Sequence, residues 1–543
     1  MAKKNENKLS YLQMPLPSGR KYYKMIKRSW CGLNYRQTID TGALSMEKNI
    51  STLEEPYLVP SQKRLSMMYE NYPSPIGIFG FDNFLIVIYR VESSICIDYI
   101  NTDTNEILPG FLKKDEATEA DEYPRCVVQF NVYDTPTDPV SGKYVKKLLI
   151  FPDKKSIDFE NPGFNFVAKD MDVLVKEYTN ETAPYLPPDT ASHNYYYRNT
   201  YNSEVYRWVD DLGDSKNSGW KVSTPPSMPN IKYAAVHLSR LFGVDDDRVY
   251  ASGYNDYTNW NLDTVDEYNE SNAWCSPAQS NTKAGGVFTG ITNFGGHIVC
   301  FKRDYMHEIY NTKNPFRIQD IYAEGAIDNR TIQDVDGRLI FVSEDNVKIY
   351  TGSNPRIISY PLNKPEYANA VSGTDGRCYY LYAEDGEENR RFFVYDTFTD
   401  LWSEQEISEK VLGFAHNKSG MYMLCADGNL YKMDTERYSH SWSFETDLIT
   451  NETVDIKHIK KIQMLADIAE NANIKVYMLY DDEKFDPDTS HLVYESKGYG
   501  QKPIRVRPRK TASYGIKLHV EGYGYVKLYE MELFIENGGD LYA

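Results

Sequence analysis

Asp336-Gly337-Arg338-Leu339-Ile340-Phe341-Val342 sets a turn dipeptide directly ahead of a run of strand character, which reads as the second arm of a tight β-hairpin. The same grammar returns in Gly296-His-Ile-Val-Cys-Phe301, Gly376-Arg-Cys-Tyr-Tyr-Leu381 and Gly420-Met-Tyr-Met-Leu-Cys425. Each passes through a polar turn to a second strand that carries Tyr310, Tyr350, Tyr395 or Tyr431. The opening glycines of the four segments stand 41, 39 and 44 residues apart. A recurrence of about 40 residues suits one four-stranded propeller blade, and it also suits a helical repeat. The interior of the unit decides between them, because Asp427-Gly428-Asn429-Leu430-Tyr431, like the opening stretch, leaves no room for an amphipathic helix. Leu241 to Val244 with Arg248 to Ser252, and the β-rich runs between residues 78 and 151, supply further blades. The expectation is an all-β chain built on a propeller of about six blades.

Outward from this core the grammar changes. After Asp447 the runs Ile474 to Tyr480, Ile504 to Arg507, Ile516 to Val520 and Val526 to Leu533 alternate apolar and polar residues, the pattern of a sheet buried on one side. Residues 448–543 are therefore expected to form a C-terminal β-sandwich. Residues 177–229 interrupt the strand rhythm with Pro184, Pro187, Pro188, Pro225, Pro226 and Pro229, interleaved with Tyr195, Tyr196, Tyr197 and Tyr201. This reads as an inserted, loop-rich region whose tyrosines serve either a subunit contact or the packing of the region on its own domain. Residues 1–28 carry Lys3, Lys4, Lys8, Arg20, Lys21, Lys24, Lys27 and Arg28 against Glu6 alone. The division that follows is an extended basic arm at 1–60, first blades at 61–176, the insertion at 177–229, remaining blades at 230–447, and the sandwich.

The bulk properties agree with a multi-domain globular chain. At 543 residues the chain exceeds what one core usually serves. The 46 tyrosines favour half-buried strands and interfaces. No apolar run approaches the ~20 residues a membrane-spanning helix needs, and the first residues show no signal-peptide core. The seven cysteines, at 31, 96, 126, 275, 300, 378 and 425, form no CxxC pair, so neither a disulfide framework nor a zinc site is expected. A net charge of -18 argues against holding a nucleic-acid backbone by counterion release.

Candidate chemistry is thin. Ser252-Gly-Tyr-Asn-Asp-Tyr-Thr-Asn-Trp260 departs from the Asp-box pattern of propeller glycosidases and reads as a turn. The carboxylate pairs Asp245-Asp246-Asp247, Glu387-Glu388 and Asp481-Asp482 lie in polar turns, where exposure keeps both members ionised rather than split into acid and base. The nine histidines show no ligand spacing, and no phosphate-binding glycine loop is present. Asp170-Met-Asp172 and Asp486-Pro-Asp488 lack the glycine and terminal glutamate of a calcium loop. The sequence thus predicts no catalytic residues, metal or cofactor, and a protein that is not an enzyme.

Arg240-Leu-Phe-Gly-Val-Asp-Asp-Asp-Arg-Val-Tyr-Ala-Ser252, followed by Asn259-Trp260, resembles a strand pair that recurs in phage tail propeller proteins, the nozzle or tail-stabilisation proteins of short-tailed phages. Its matching positions are Arg240, Phe242, Gly243, Arg248, Tyr250, Ser252 and Trp260. Three further segments are similar to that family in the same order. They are Gly325 to Arg330 leading to Asp336 and Gly337, Val394 to Trp402, and Asp427-Gly428 to Tyr431. Trp30-Cys-Gly-Leu-Asn34 resembles the family's leading arm, and the likeness covers residues 230–540 best. It implies a homo-oligomeric ring, commonly a hexamer, through or beside which phage DNA leaves the virion. Its neighbours would be a portal or adaptor on one side and a fibre or distal tail protein on the other, with assembly in the bacterial cytoplasm. The competing expectation is a carbohydrate-binding or glycan-cleaving propeller, with Trp220, Trp260, Trp274 and Trp402 stacking on sugars.

Overall fold

The computed structural model describes residues 11–13, 23–36, 38–39, 41–67, 71–118, 123–134, 143–160, 162–171, 175–178, 196–200, 203–209, 219–262, 272–277, 285–386, 389–450, 456–481, 483–496, 498–508 and 513–537. Among these, regular structure is all strand apart from 3-10 turns at Asn329–Thr331 and Tyr360–Leu362.

Seven sheets follow one another as blades 1 to 7, spanning 75–113, 126–170, 233–275, 290–321, 333–357, 368–405 and 411–432. Their pairings are antiparallel except that Phe166–Val167, from within the second span, joins blade 1 in parallel with Glu106–Lys113. The glycine repeat has a direct backbone cause. In blade 5 the loop between Gln333–Val335 and Arg338–Val342 is two residues long, with Asp336 at φ 51 and Gly337 at φ 68. Two successive left-handed residues define the hairpin turn whose twist matches its strands. Gly295 (φ 60) and Gly296 (φ 85) make the same turn in blade 4.

The ring closes in two ways. Seven apolar clusters fill the seven junctions between neighbouring blades, including one built from Ile78, Leu85 and Val87 of blade 1 with Tyr422 and Leu424 of blade 7. The fourth strand of blade 7 comes from the other end of the propeller sequence, because Leu65–Ser66 pairs with Leu430–Lys432. Seven blades stand where the repeat reads about six. Blades 1 and 2 lack the glycine signature, and a two-residue closing strand leaves no periodic trace.

The sandwich is larger than its C-terminal segment. One sheet runs, in order, Tyr11–Gln13, Tyr23–Arg28, Val526–Asn537, Lys457–Ile468 and Gly500–Val506. The other runs Leu44–Lys48, Ser441–Thr446, Ile516–Tyr523, Asn473–Tyr480 and His491–Glu495. The expected arm at 1–60 therefore supplies three sandwich strands where it is described, and Ile26, Trp30, Leu44 and Ile50 lie in the sandwich core. Arg28 and Asp447 form a buried pair at 3.3 Å, and Asp447 also accepts from the Thr41 backbone and hydroxyl. The basic residues Lys3, Lys4, Lys8, Arg20 and Lys21 lie outside the described residues.

Between blades 2 and 3 the insertion forms a sheet of its own, Val175–Tyr178, Tyr196–Asn199, Val205–Val209 and Gly219–Val222. Its first two strands are parallel, and Trp208 stands opposite Trp220 in the register. The strands are short and separated by proline-rich sequence, which is why they read as loop. Pro184, Pro187, Pro188, Tyr195 and Tyr201 lie outside the described residues.

Candidate functional site

Residues singled out by sequence are brought together as framework. Arg240 opens the second strand of blade 3 and is 2% exposed. Its Nη1 donates to the carbonyls of Ser252 and Asn272, at 2.6 and 2.8 Å, tying the strand to the loop that returns to the blade edge. Burial lowers its pKa to about 10, so the guanidinium still carries its charge at neutral pH. Ser252 Oγ accepts from the Leu241 backbone at 3.0 Å. Phe242 meets Phe316 edge to face, with centroids 5.1 Å apart. Arg248 reaches Cys275 Sγ at 3.4 Å, and the Tyr250 hydroxyl donates to Asp245. Trp260 is buried between blades 2 and 3. Trp402 is buried between blades 5 and 6, where its Nε1 donates to Ile358 O at 2.8 Å. Gly428 sits at φ 87 where the chain before blade 1 passes, and its carbonyl accepts from the Tyr72 backbone.

Gly243 offers a direct test of this framework role. A Cβ there would lie 2.6 Å from the Ile231 side chain. Gly243→Ala is expected to destabilise by about 1–3 kcal/mol through overpacking, read as a lower urea midpoint with an unchanged slope. A neutral result would remove Gly243 from the packing account.

The inner strands of the neighbouring blades 1 and 7 approach so closely that a Cβ on Gly80 would fall 2.2 Å from the carbonyl oxygen of His416. Among the inner strands lies a cavity of about 220 Å³ whose lining includes Phe79, Val127, Arg330, Gln333 and Phe414. Some of its polar groups stitch blade 5 to blade 6. Gln333 Nε2 donates to Ser372 O, Ser372 Oγ donates to Arg330 O, and the Arg330 guanidinium is held by both oxygens of Asp328. A larger groove of about 480 Å³ opens on the loop face beside it, lined by Arg303, Glu344, Asp345, Lys364 and Glu366 among others. Both charge signs line it, the arrangement of a solvated rim.

One constellation escaped sequence reading. Cys300, His307 and Asp320 are direct neighbours across three strands of blade 4, and His307 Nδ1 lies 2.8 Å from Asp320 Oδ1. The order suits nucleophile, base and orienting acid. The environment does not. Cys300 and His307 are both 0% exposed, burial drives the thiol far above its ordinary pKa, and His307 Nε2 is buried without a hydrogen-bond partner. Burial also lowers the His307 pKa. On the opposite face of the blade, Glu308 accepts from Tyr310 and Tyr350 and meets His297 Nε2 at 3.2 Å. Cross-strand register is the signal that would have found both groups.

The proposed sugar platforms are placed otherwise. Trp260, Trp274 and Trp402 are buried, with 6% exposure at most, and only Trp220, on the inserted sheet, is half-buried. Asp245 caps its own turn by accepting from the Asp247 and Arg248 backbones. Glu387, Glu388, Asp172 and Asp482 lie outside the described residues. Among the described residues no group of three or more His, Cys, Asp or Glu side chains could hold a metal ion, and no helix is long and apolar enough to cross a membrane.

The architecture defines an all-β chain, a seven-bladed propeller bearing a sandwich. No protein-family model matches it, and no curated protein does. Among solved structures it is similar to the WD40 domain of coronin from Toxoplasma gondii, at 8% identity over 75% of this chain and 90% of that one, TM-score 0.36. It is also similar to BamB from Moraxella catarrhalis, at 8% identity over 76% and 98%, TM-score 0.33. At these scores the likenesses add nothing to what the chain's own sheets define.

Proposed function

We propose that the chain is a structural protein of a bacteriophage tail, a ring-forming nozzle or tail-tube component that guides the genome out and docks neighbouring tail proteins. The observation that carries this reading is the ordered set of motifs. Segments 240–260, 325–342, 394–402 and 427–431 fall in sequence on blades 3, 5, 6 and 7, or on the turn leading into one of them. Their residues brace the blades, as expected of a body that bears load rather than binds substrate. In this reading the genome's route is a lumen between copies of the ring. A net charge of -18 suits such a lumen, since like charges let DNA slide where a basic wall would hold it in a salt-dependent way.

Electron microscopy of purified virions carrying a labelled copy tests the reading. The expected result is a closed ring, commonly sixfold, at the tail, with carboxylates of the propeller facing the lumen. A protein absent from the virion overturns the tail assignment, and a strongly basic lumen overturns the sliding argument.

A further inference from the structure

Glu47 is fully buried where the sandwich meets blade 6, neither carboxylate oxygen is in a well-formed hydrogen bond, and the Glu404 backbone is the group that eases its charge. It belongs to the sandwich edge strand Leu44–Lys48, which neighbours Leu401–Gln405, the outer strand of blade 6. Backbone bonds stitch the seam on both sides of it. Leu33 N donates to Trp402 O at 2.9 Å, and Asn49 N donates to Glu404 O at 3.0 Å.

The group facing Glu47 from the propeller is a second carboxylate. Glu404 is well held, with Arg391 Nε and Nη2 at 2.5 and 3.1 Å and the Tyr35 hydroxyl donating to it. Asp385 stands behind Arg391 at 3.6 Å. The remaining charges around the strand are turned elsewhere. Lys48 pairs outward with Glu406, and on the adjoining strands Glu445 is engaged by His519. Glu47 thus meets a negative neighbour whose cation is already committed. An ionised carboxylate in that position would be both desolvated and repelled.

We propose that the sandwich–propeller seam is a proton-dependent clamp, held shut while Glu47 carries its proton and loosened as that proton is lost. Burial first, then the charge of Glu404, raises the Glu47 pKa well above the 4.5 of an ordinary glutamate. The closed seam therefore binds one more proton than the opened one between pH 4.5 and the higher folded value. Within that window stability of the seam falls as pH rises. Each pH unit multiplies the opened fraction by up to about tenfold, and the effect levels off once Glu47 is ionised in both states.

Hydrogen exchange at the Leu33 and Asn49 amides, in the full chain from about pH 5 to about pH 9, tests the clamp. The ratio of wild type to Glu47→Gln at each pH cancels the intrinsic exchange rate. The ratio is expected to climb with pH at these amides and then to level off, while staying flat at Ile298 and Val299 in blade 4. Glu404→Gln, which removes the repelling charge, is expected to weaken the climb. Matching seam profiles for wild type and Glu47→Gln would overturn the proposal. If Glu47→Gln does not fold, the ratio of wild type to Glu404→Gln at the same amides carries the test, and a ratio that does not change with pH would overturn the proposal.

Discussion

Alanine in place of Trp402 is expected to lower stability by about 3–5 kcal/mol, the usual cost of removing a large buried aromatic. The side chain is 1% exposed and fills the junction between blades 5 and 6, against Tyr395 at 4.9 Å and Phe393 at 6.2 Å between ring centroids. Two losses combine. A cavity opens in the inter-blade cluster, and the Ile358 carbonyl, itself nearly buried, loses the indole donor at 2.8 Å. Leu33 belongs to the same cluster, and its backbone bonds to the Trp402 carbonyl, so the seam with the sandwich loosens with the blade. Trp402→Phe retains part of the volume but not the donor, and is expected to fall between. Urea unfolding of the three proteins measures the series. A Trp402→Ala cost below about 1 kcal/mol would place the side chain outside the core.

How much of this was legible follows from what each residue's signal depends on. Gly296 and Gly337 could be read because a left-handed turn in a two-residue hairpin favours glycine, whereas blade 3 makes the same kind of turn through Leu238 and Ser239 and left no such mark. The alternation in Ile516–Tyr523 could be read because one face of the strand is buried, with Ile516 and Leu518 at 0% exposure. Leu65–Ser66 could not be read, since its partner strand lies about 365 residues away in sequence and two residues hold no period. The arm misled for a related reason. Lys24, Lys27 and Arg28 mark it as basic, yet Arg28 is buried against Asp447, whose position in sequence says nothing of the pairing. Glu47 showed no local sign either, because its environment is made by Glu404 and Tyr35 from elsewhere in the chain. Motif residues such as Arg240 and Trp260 were found by pattern, while their roles as braces became visible only from burial and partners.

Two truncations should divide the work of the N-terminal segment, and their effects should exceed that of any single substitution. Removing residues 1–52 takes away Tyr23–Arg28, which pairs along six positions with Val526–Asn537, and Leu44–Lys48, which pairs with Ser441–Thr446. Val526–Asn537 and Ser441–Thr446 then become free edges, and the core loses Ile26, Trp30, Leu44 and Ile50 together with the bond from Trp30 Nε1 to Tyr529 O at 2.5 Å. That loss is on the order of the whole stability of a small domain, about 5–15 kcal/mol, so the sandwich is expected to unfold. The propeller should survive, because Leu65–Ser66 still closes blade 7 and the inter-blade clusters lose only Leu33 and the partly buried Tyr35. Removing residues 1–67 deletes the closing strand as well. It also exposes the outer edge of Leu430–Lys432 and takes away Met67, whose backbone bonds to the Leu430 carbonyl. An unpaired edge of this kind invites aggregation. Hydrogen exchange resolved along the chain separates the cases. The shorter truncation should lose protection only in the sandwich, and the longer one also in blades 7 and 1. Full protection of the sandwich after removal of residues 1–52 would show that its C-terminal strands fold without the segment that the sheet order places beside them.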